Sequence, residues 1–277
     1  MSTDEYDRHG SLRYLALVSV SILGAIVIAR VVFSNQISQG FSASGGLSDF
    51  DFVTPAVFSL VTISVLFYGL RRRGEQVARL AIAAIMTAGT LSGLLLLKIW
   101  FDASFGFPAL FYLCAAPLGY LGLYLSVRGY FGSLSERKIS ALLSLSPIFI
   151  GALAGVVFPE LFTVSFLIAL SLLDFLMVET DVLKRIVGLA RFERIVSLTT
   201  IPLQRQVVGI GDLLAYSMLS VATLRSGNLY VAAATVILIL LGSAITHKVA
   251  ESRLRIPGLP IPICLGALPY LLGLFVP

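Results

Sequence analysis

Apolar runs of about twenty residues alternate with short polar segments from one end of the chain to the other. Nine runs can be marked: Leu12–Phe33, Phe52–Leu70, Ala78–Leu97, Phe107–Val127, Ile139–Phe158, Leu161–Val178, Val207–Leu224, Tyr230–Thr246 and Gly258–Val276. Each comes close to the ~20 residues that a helix needs to cross a hydrocarbon layer of about 30 Å. Period-two alternation of the kind that builds a lipid-facing barrel is absent, so helices are the only spanning element the pattern allows. The pattern predicts an all-α, polytopic membrane protein of nine transmembrane helices.

The polar segments sharpen this reading. Met1–Gly10 is polar and mixed in charge, and no small-residue cleavage site follows the first apolar run, which predicts a retained span rather than a signal peptide. Ser34–Asp51 is rich in Ser and Gly, lacks Lys and Arg, and reads as a connector. If nine spans alternate, all of the 20 Lys and Arg residues except Arg30, Lys98 and Arg225 fall on the side of the N-terminus. By the positive-inside rule the expected topology has a cytoplasmic N-terminus and an extracellular C-terminus in the cell membrane. Lys98, next to Trp100 but one, is expected to be an interfacial anchor.

Composition agrees with the pattern. Hydrophobic residues make up 57% and charged residues 13% of the chain, and mean hydropathy is +0.95, whereas soluble domains carry about 25% charged residues. The pI near 9.4 does not imply nucleic acid, because the basic residues sit in short loops between apolar runs. Cys114 and Cys264 lie in apolar stretches without CxxC spacing and are expected to pack in the core. No metal and no cofactor is implied.

Of the 15 acidic residues, only Asp174 and Asp212 fall well inside predicted spans. Ionisable groups at such depth face a protein interior or a watery cavity and commonly mark function. The sixth run reaches Asp174 shortly before Glu179 and Asp181, and the seventh reaches Asp212 within two turns of Arg205. Both carboxylates are therefore expected roughly 6–10 Å inside the cytoplasmic edge, where antiparallel neighbours bring them face to face. Asp212 shares a helix face with Gly209 and Tyr216, and Asp174 shares one with Ser171. Two adjacent carboxylates share a proton, so that one acts as base and the other as acid. That is the chemistry of an aspartic protease, but two intramembrane acids alone point to ion-coupled transport or simple helix contact ahead of proteolysis.

The sequence GIGD at Gly209–Asp212, continuing LLAYSML, resembles the GxGD motif of the presenilin and signal peptide peptidase family. Leu173-Asp174 resembles that family's Tyr-Asp site. Pro257-Gly258-Leu259, continuing Pro260-Ile261, resembles its Pro-Ala-Leu motif. The three occur in the family's order on spans six, seven and nine, and a cytoplasmic N-terminus matches presenilins rather than the inverted signal peptide peptidases. Leu173 replaces the usual Tyr, which removes a phenol beside Asp174, and Gly258 replaces Ala, which keeps a small residue and adds backbone freedom. The short segment Glu179–Gln206 resembles compact archaeal homologues.

The resemblance implies a single membrane domain over 1–277, with spans one to six (about 12–178) carrying Asp174 and spans seven to nine (about 207–276) carrying the other two motifs. It implies an intramembrane aspartyl protease whose catalytic residues are Asp174 and Asp212. Gly209, Ile210, Gly211, Pro257, Gly258 and Leu259 would then border the substrate, a single-span membrane protein or peptide within the lipid bilayer. Neither oligomeric state nor natural substrate follows. The alternative is a multi-pass channel or proton- or ion-coupled transporter using the same acidic pair.

The three prolines of Pro257–Pro262 are expected to keep that stretch out of a helix at the depth of the aspartates, where irregular backbone must line a cavity or be buried. Other catalytic schemes lack parts: there is no HExxH, His247 is followed by Lys-Val-Ala-Glu, and His9 stands alone in the N-terminal tail. The many span serines have no intramembrane histidine to activate them and are expected to mediate helix contacts.

Overall fold

The computed structural model describes residues 3–37, 76–77, 79–102, 104, 108–180, 188, 200–203, 206–225, 227–252 and 257–275. In chain order the elements are α1 (Thr3–Ile37), α2 (Arg79–Asp102), α3 (Pro108–Tyr130), α4 (Glu136–Val157), α5 (Glu160–Glu179), β1 (Thr200–Leu203), β2 (Gln206–Gly209), α6 (Ile210–Arg225), α7 (Leu229–Ser252) and α8 (Pro260–Phe275). Ser34–Asp51 and the second apolar run, Phe52–Leu70, lie wholly or largely outside the described residues, as does most of Glu179–Gln206.

Among the described residues, six helical stretches are long and apolar enough to cross a membrane: Ser11–Val32, Arg79–Asp102, Ala109–Tyr130, Arg137–Val157, Glu160–Glu179 and Leu229–Ala250. They correspond to runs one, three, four, five, six and eight. Helices α6 and α8 have only 16 residues each, about 24 Å at 1.5 Å per residue, short of the hydrocarbon thickness. α6 escapes the requirement to face lipid because it is enclosed, packing against α1, α4, α5, α7 and α8. From Ala215 to Thr223 every residue of it is buried. The N-terminal tail differs from expectation too, since α1 already begins at Thr3.

The expectation of purely helical structure needs one correction. The start of the seventh run, Val207–Gly209, belongs to an antiparallel hairpin with Thr200–Leu203, and the helix begins only at Ile210. β-Branched residues favour this local choice. Ile201 and Val208 pair across the ladder and are both buried, so the hairpin is held by an apolar cross-strand pair rather than by its short ladder alone.

Small residues let the helices around α6 approach closely. On α4, a Cβ at Gly151 would lie 2.5 Å from Ser217 Cβ, and one at Gly155 would lie 2.7 Å from the Met218 carbonyl oxygen. This is a small-xxx-small contact, four residues apart on one face. α7 and α8 meet the same way: a Cβ at Gly242 would lie 2.6 Å from Pro262 Cα, and one at Gly266 would lie 2.5 Å from Ile239 Cγ1. The serines are mixed in role. Ser217 Oγ donates across helices to the Ser21 carbonyl, 3.2 Å, whereas Ser146, Ser171 and Ser220 donate to their own helices four residues back.

The cysteines do not pack in the core. Cys264 is exposed and Cys114 only half-buried, both as free thiols, because each lies on the outward side of its helix. Lys98 pairs at 2.9 Å with Asp102 one turn on, both half-exposed.

Candidate active site

Asp212 is the third residue of α6, in its first turn. Its carboxylate reaches back toward the backbone N–H of Gly209, as an acidic residue at this position does in a capping box. The chain switches from strand to helix between Gly209 and Ile210, and this switch delivers the carboxylate at the head of the buried helix. Asp174 lies just over a turn before α5 ends at Glu179 and is half-buried. α5 and α6 are packed against each other, and Asp174 falls within electrostatic range of Asp212. The two intramembrane acids that stood out in the sequence are thus brought to one place.

Residues 257–259 are irregular and meet both acids. The Leu259 N–H donates to Asp174 Oδ2 at 3.2 Å, and the Gly258 N–H lies near that carboxylate. A Cβ built on Gly258 would collide with Asp212 Oδ2 and would lie 2.8 Å from its Cγ. Of the two expected benefits of glycine here, small size and backbone freedom, the site uses the first, since Gly258 is not among the positive-φ glycines. The proline expectation also narrows. Only Pro257–Leu259 is irregular, whereas Pro260 and Pro262 open α8. They sit in the first turn, whose N–H groups have no helical partner in any case, so their missing donors cost the helix nothing.

The other residues singled out in the sequence divide. Gly209 lies against the Asp212 carboxylate, which a Cβ there would approach to 3.0 Å. Gly211 has open space around it. Ile210 is 3% exposed, so its side chain belongs to the core while its backbone starts the helix. Leu259 is buried as well. Ser171 donates to the Leu167 carbonyl of its own helix and leaves Asp174 alone.

A cluster that the motifs did not disclose surrounds Asp212 from behind. Tyr216, one turn along α6 and fully buried, donates its hydroxyl to the Gly258 carbonyl at 2.8 Å. Tyr14 of α1 lies beside Tyr216, and its ring stacks on His247 of α7 with centroids 4.9 Å apart. Ser243, also of α7 and fully buried, faces both phenols without forming a hydrogen bond of regular geometry. The four-residue spacing from Asp212 to Tyr216 was visible in the sequence; the α1 and α7 partners had no local signal. Among the described residues no group of three or more His, Cys, Asp or Glu side chains converges to hold a metal ion.

No protein-family model matches the chain, and no curated protein matches it in sequence.

Proposed function

We propose that the protein is an intramembrane aspartyl protease that hydrolyses peptide bonds in membrane-spanning segments, with Asp174 and Asp212 as its dyad. The observation that carries the reading is the convergence of these acids, the only two well inside apolar runs, with the Pro257–Leu259 backbone laid against both. The resemblance of the three motifs to presenilins supports it.

In this reading one carboxylate removes a proton from a water molecule as the water oxygen bonds to the scissile carbonyl carbon. The other, protonated, gives its proton to the carbonyl oxygen, and a tetrahedral diol results. Collapse of the diol breaks the C–N bond as a proton passes from the dyad to the departing nitrogen and one diol hydroxyl returns its proton to the dyad, so that a carboxyl group forms and the pair is left sharing one proton as at the start. No covalent intermediate is formed. A substrate must be extended to expose its backbone here, and an extended chain needs hydrogen-bond partners in a site away from water. The β1–β2 hairpin leading into Asp212 is a two-stranded sheet among the described residues, an element to which such a chain can add as a further strand.

The proposal includes nine spans, a cytoplasmic N-terminus and the cell membrane as location, with substrates entering from the bilayer. Its test is mass spectrometry of a purified single-span substrate incubated with the reconstituted full-length protein, beside Asp174→Ala and Asp212→Ala. Discrete fragments that vanish in both variants are expected. Fragments that persist in either variant would overturn the dyad, and pair-dependent proton or ion flux without fragments would favour a transporter.

A further inference from the structure

The peptide unit joining Gly258 to Leu259 is held at both ends. Its carbonyl accepts from Tyr216 at 2.8 Å and its N–H donates to Asp174 at 3.2 Å. In a trans peptide these two groups point in opposite directions, so one rotation of the plane would exchange them. That rotation would withdraw the N–H from Asp174 and turn a carbonyl oxygen toward a carboxylate. The neighbourhood does little to prevent it: Gly258 is the residue least able to hold a plane in place, and Pro257 and Pro260 have no N–H with which to anchor the segment. Gly258 and Leu259 supply the only N–H groups in 257–260.

Tyr216 has a single hydroxyl proton, and the Gly258 carbonyl takes it. The result is a directed chain, from Tyr216 to the Gly258 carbonyl, then through the peptide plane from the Leu259 N–H to Asp174. Every side chain in it is buried except Asp174, which is half-buried.

We propose that Tyr216 is a positioning residue that locks the Gly258–Leu259 peptide plane, keeping its N–H on Asp174 and the Gly258 Cα against Asp212. Fully buried, it acts through the backbone on both acids. This rests on the protease reading above. It adds a residue outside the three motifs whose loss leaves both carboxylates in place but misaligned.

The experiment measures kcat, KM and thermal midpoint for the reconstituted full-length protein with a fluorogenic single-span peptide, comparing wild type, Tyr216→Phe, Tyr14→Phe, Asp174→Ala and Asp212→Ala. Tyr216→Phe keeps the ring and removes only the hydroxyl. Its kcat should fall by about tenfold or more while KM stays within about twofold, as for a group whose effect is felt only at the reacting centre. Its melting temperature should remain within a few degrees of wild type. Tyr14→Phe should lose less than about threefold, because the Gly258 carbonyl keeps its donor. The inference is overturned if Tyr216→Phe retains wild-type kcat while both Asp variants are dead. It is equally overturned if Tyr14→Phe loses as much, or if the lost activity follows a lowered melting temperature, since either would mark Tyr216 as a general packing residue. If instead the Asp variants cleave normally, the protease dyad itself fails, and Tyr216 with it.

Discussion

Gly258 rests directly on Asp212, so closely that a single added Cβ would overlap the carboxylate oxygen Oδ2. The acid on α6 and the backbone before α8 thus define one another's position, though they are far apart in sequence.

Substituting Gly258 tests this contact. Gly258→Ala introduces the residue usual in the family that the motif resembles, yet here it must displace the Asp212 carboxylate. Cleavage should fall about tenfold, and in Gly258→Val to background, while overpacking costs about 1–3 kcal/mol of stability. Steady-state kinetics beside thermal denaturation in detergent would separate the two. Unchanged cleavage in Gly258→Val would place the segment away from the reacting centre.

Removing either acid should leave a folded protein. Asp174→Ala strips the Leu259 N–H of its acceptor, which costs about 1–3 kcal/mol for a buried donor. Asp174→Asn keeps an acceptor oxygen and should therefore melt closer to wild type, though it is equally inactive. Equal melting temperatures for the two variants would mean that the Leu259 bond contributes nothing.

The α4–α6 contact should govern stability more than chemistry. Gly155→Leu has nowhere to go against the Met218 carbonyl and Val221, and a loss of about 3 kcal/mol or more is expected. Gly93→Ala is the control, since a Cβ there would sit at an ordinary 3.6 Å from Phe149 and should change the melting temperature little. Similar melting temperatures for both would show that α4 and α6 are looser than described.

Arg225 closes the opposite end of α6. Its guanidinium donates to the carbonyls of Val156 and Phe158, where α4 ends, and lies 3.6 Å from Glu160 at the start of α5. Arg225→Met abandons all three acceptors and should cost about 2–4 kcal/mol, whereas Glu160→Gln removes only the ion pair and should cost about 1 kcal/mol or less. Thermal denaturation measures both. If Glu160→Gln were the more damaging, the pair rather than the carbonyl contacts would be what holds the three helices.

The membrane class, the six described spans and the two acids were legible in the sequence because each rests on a local property. A run of apolar residues is long enough or it is not, and a carboxylate inside such a run is conspicuous wherever the helix ends up. The start of α6 was misplaced by three residues, because Val207–Gly209 is as apolar as a span and only the pairing of Val208 with Ile201 makes it a strand. The two prolines that open α8 look like helix breakers until the first turn is known to begin at Pro260.

What only the tertiary structure decided is which groups meet across distance. Hydropathy could not tell that α6 is enclosed by five other helices while Cys264 faces outward, since apolar residues serve equally well against protein and lipid. Nor could it pair Tyr216 with the Gly258 carbonyl, or bring Tyr14 and Ser243 of two other helices beside them. Hydrogen bonds and close backbone contacts depend on ångström-scale placement of residues remote in the chain, and that placement exists only once the helices have packed.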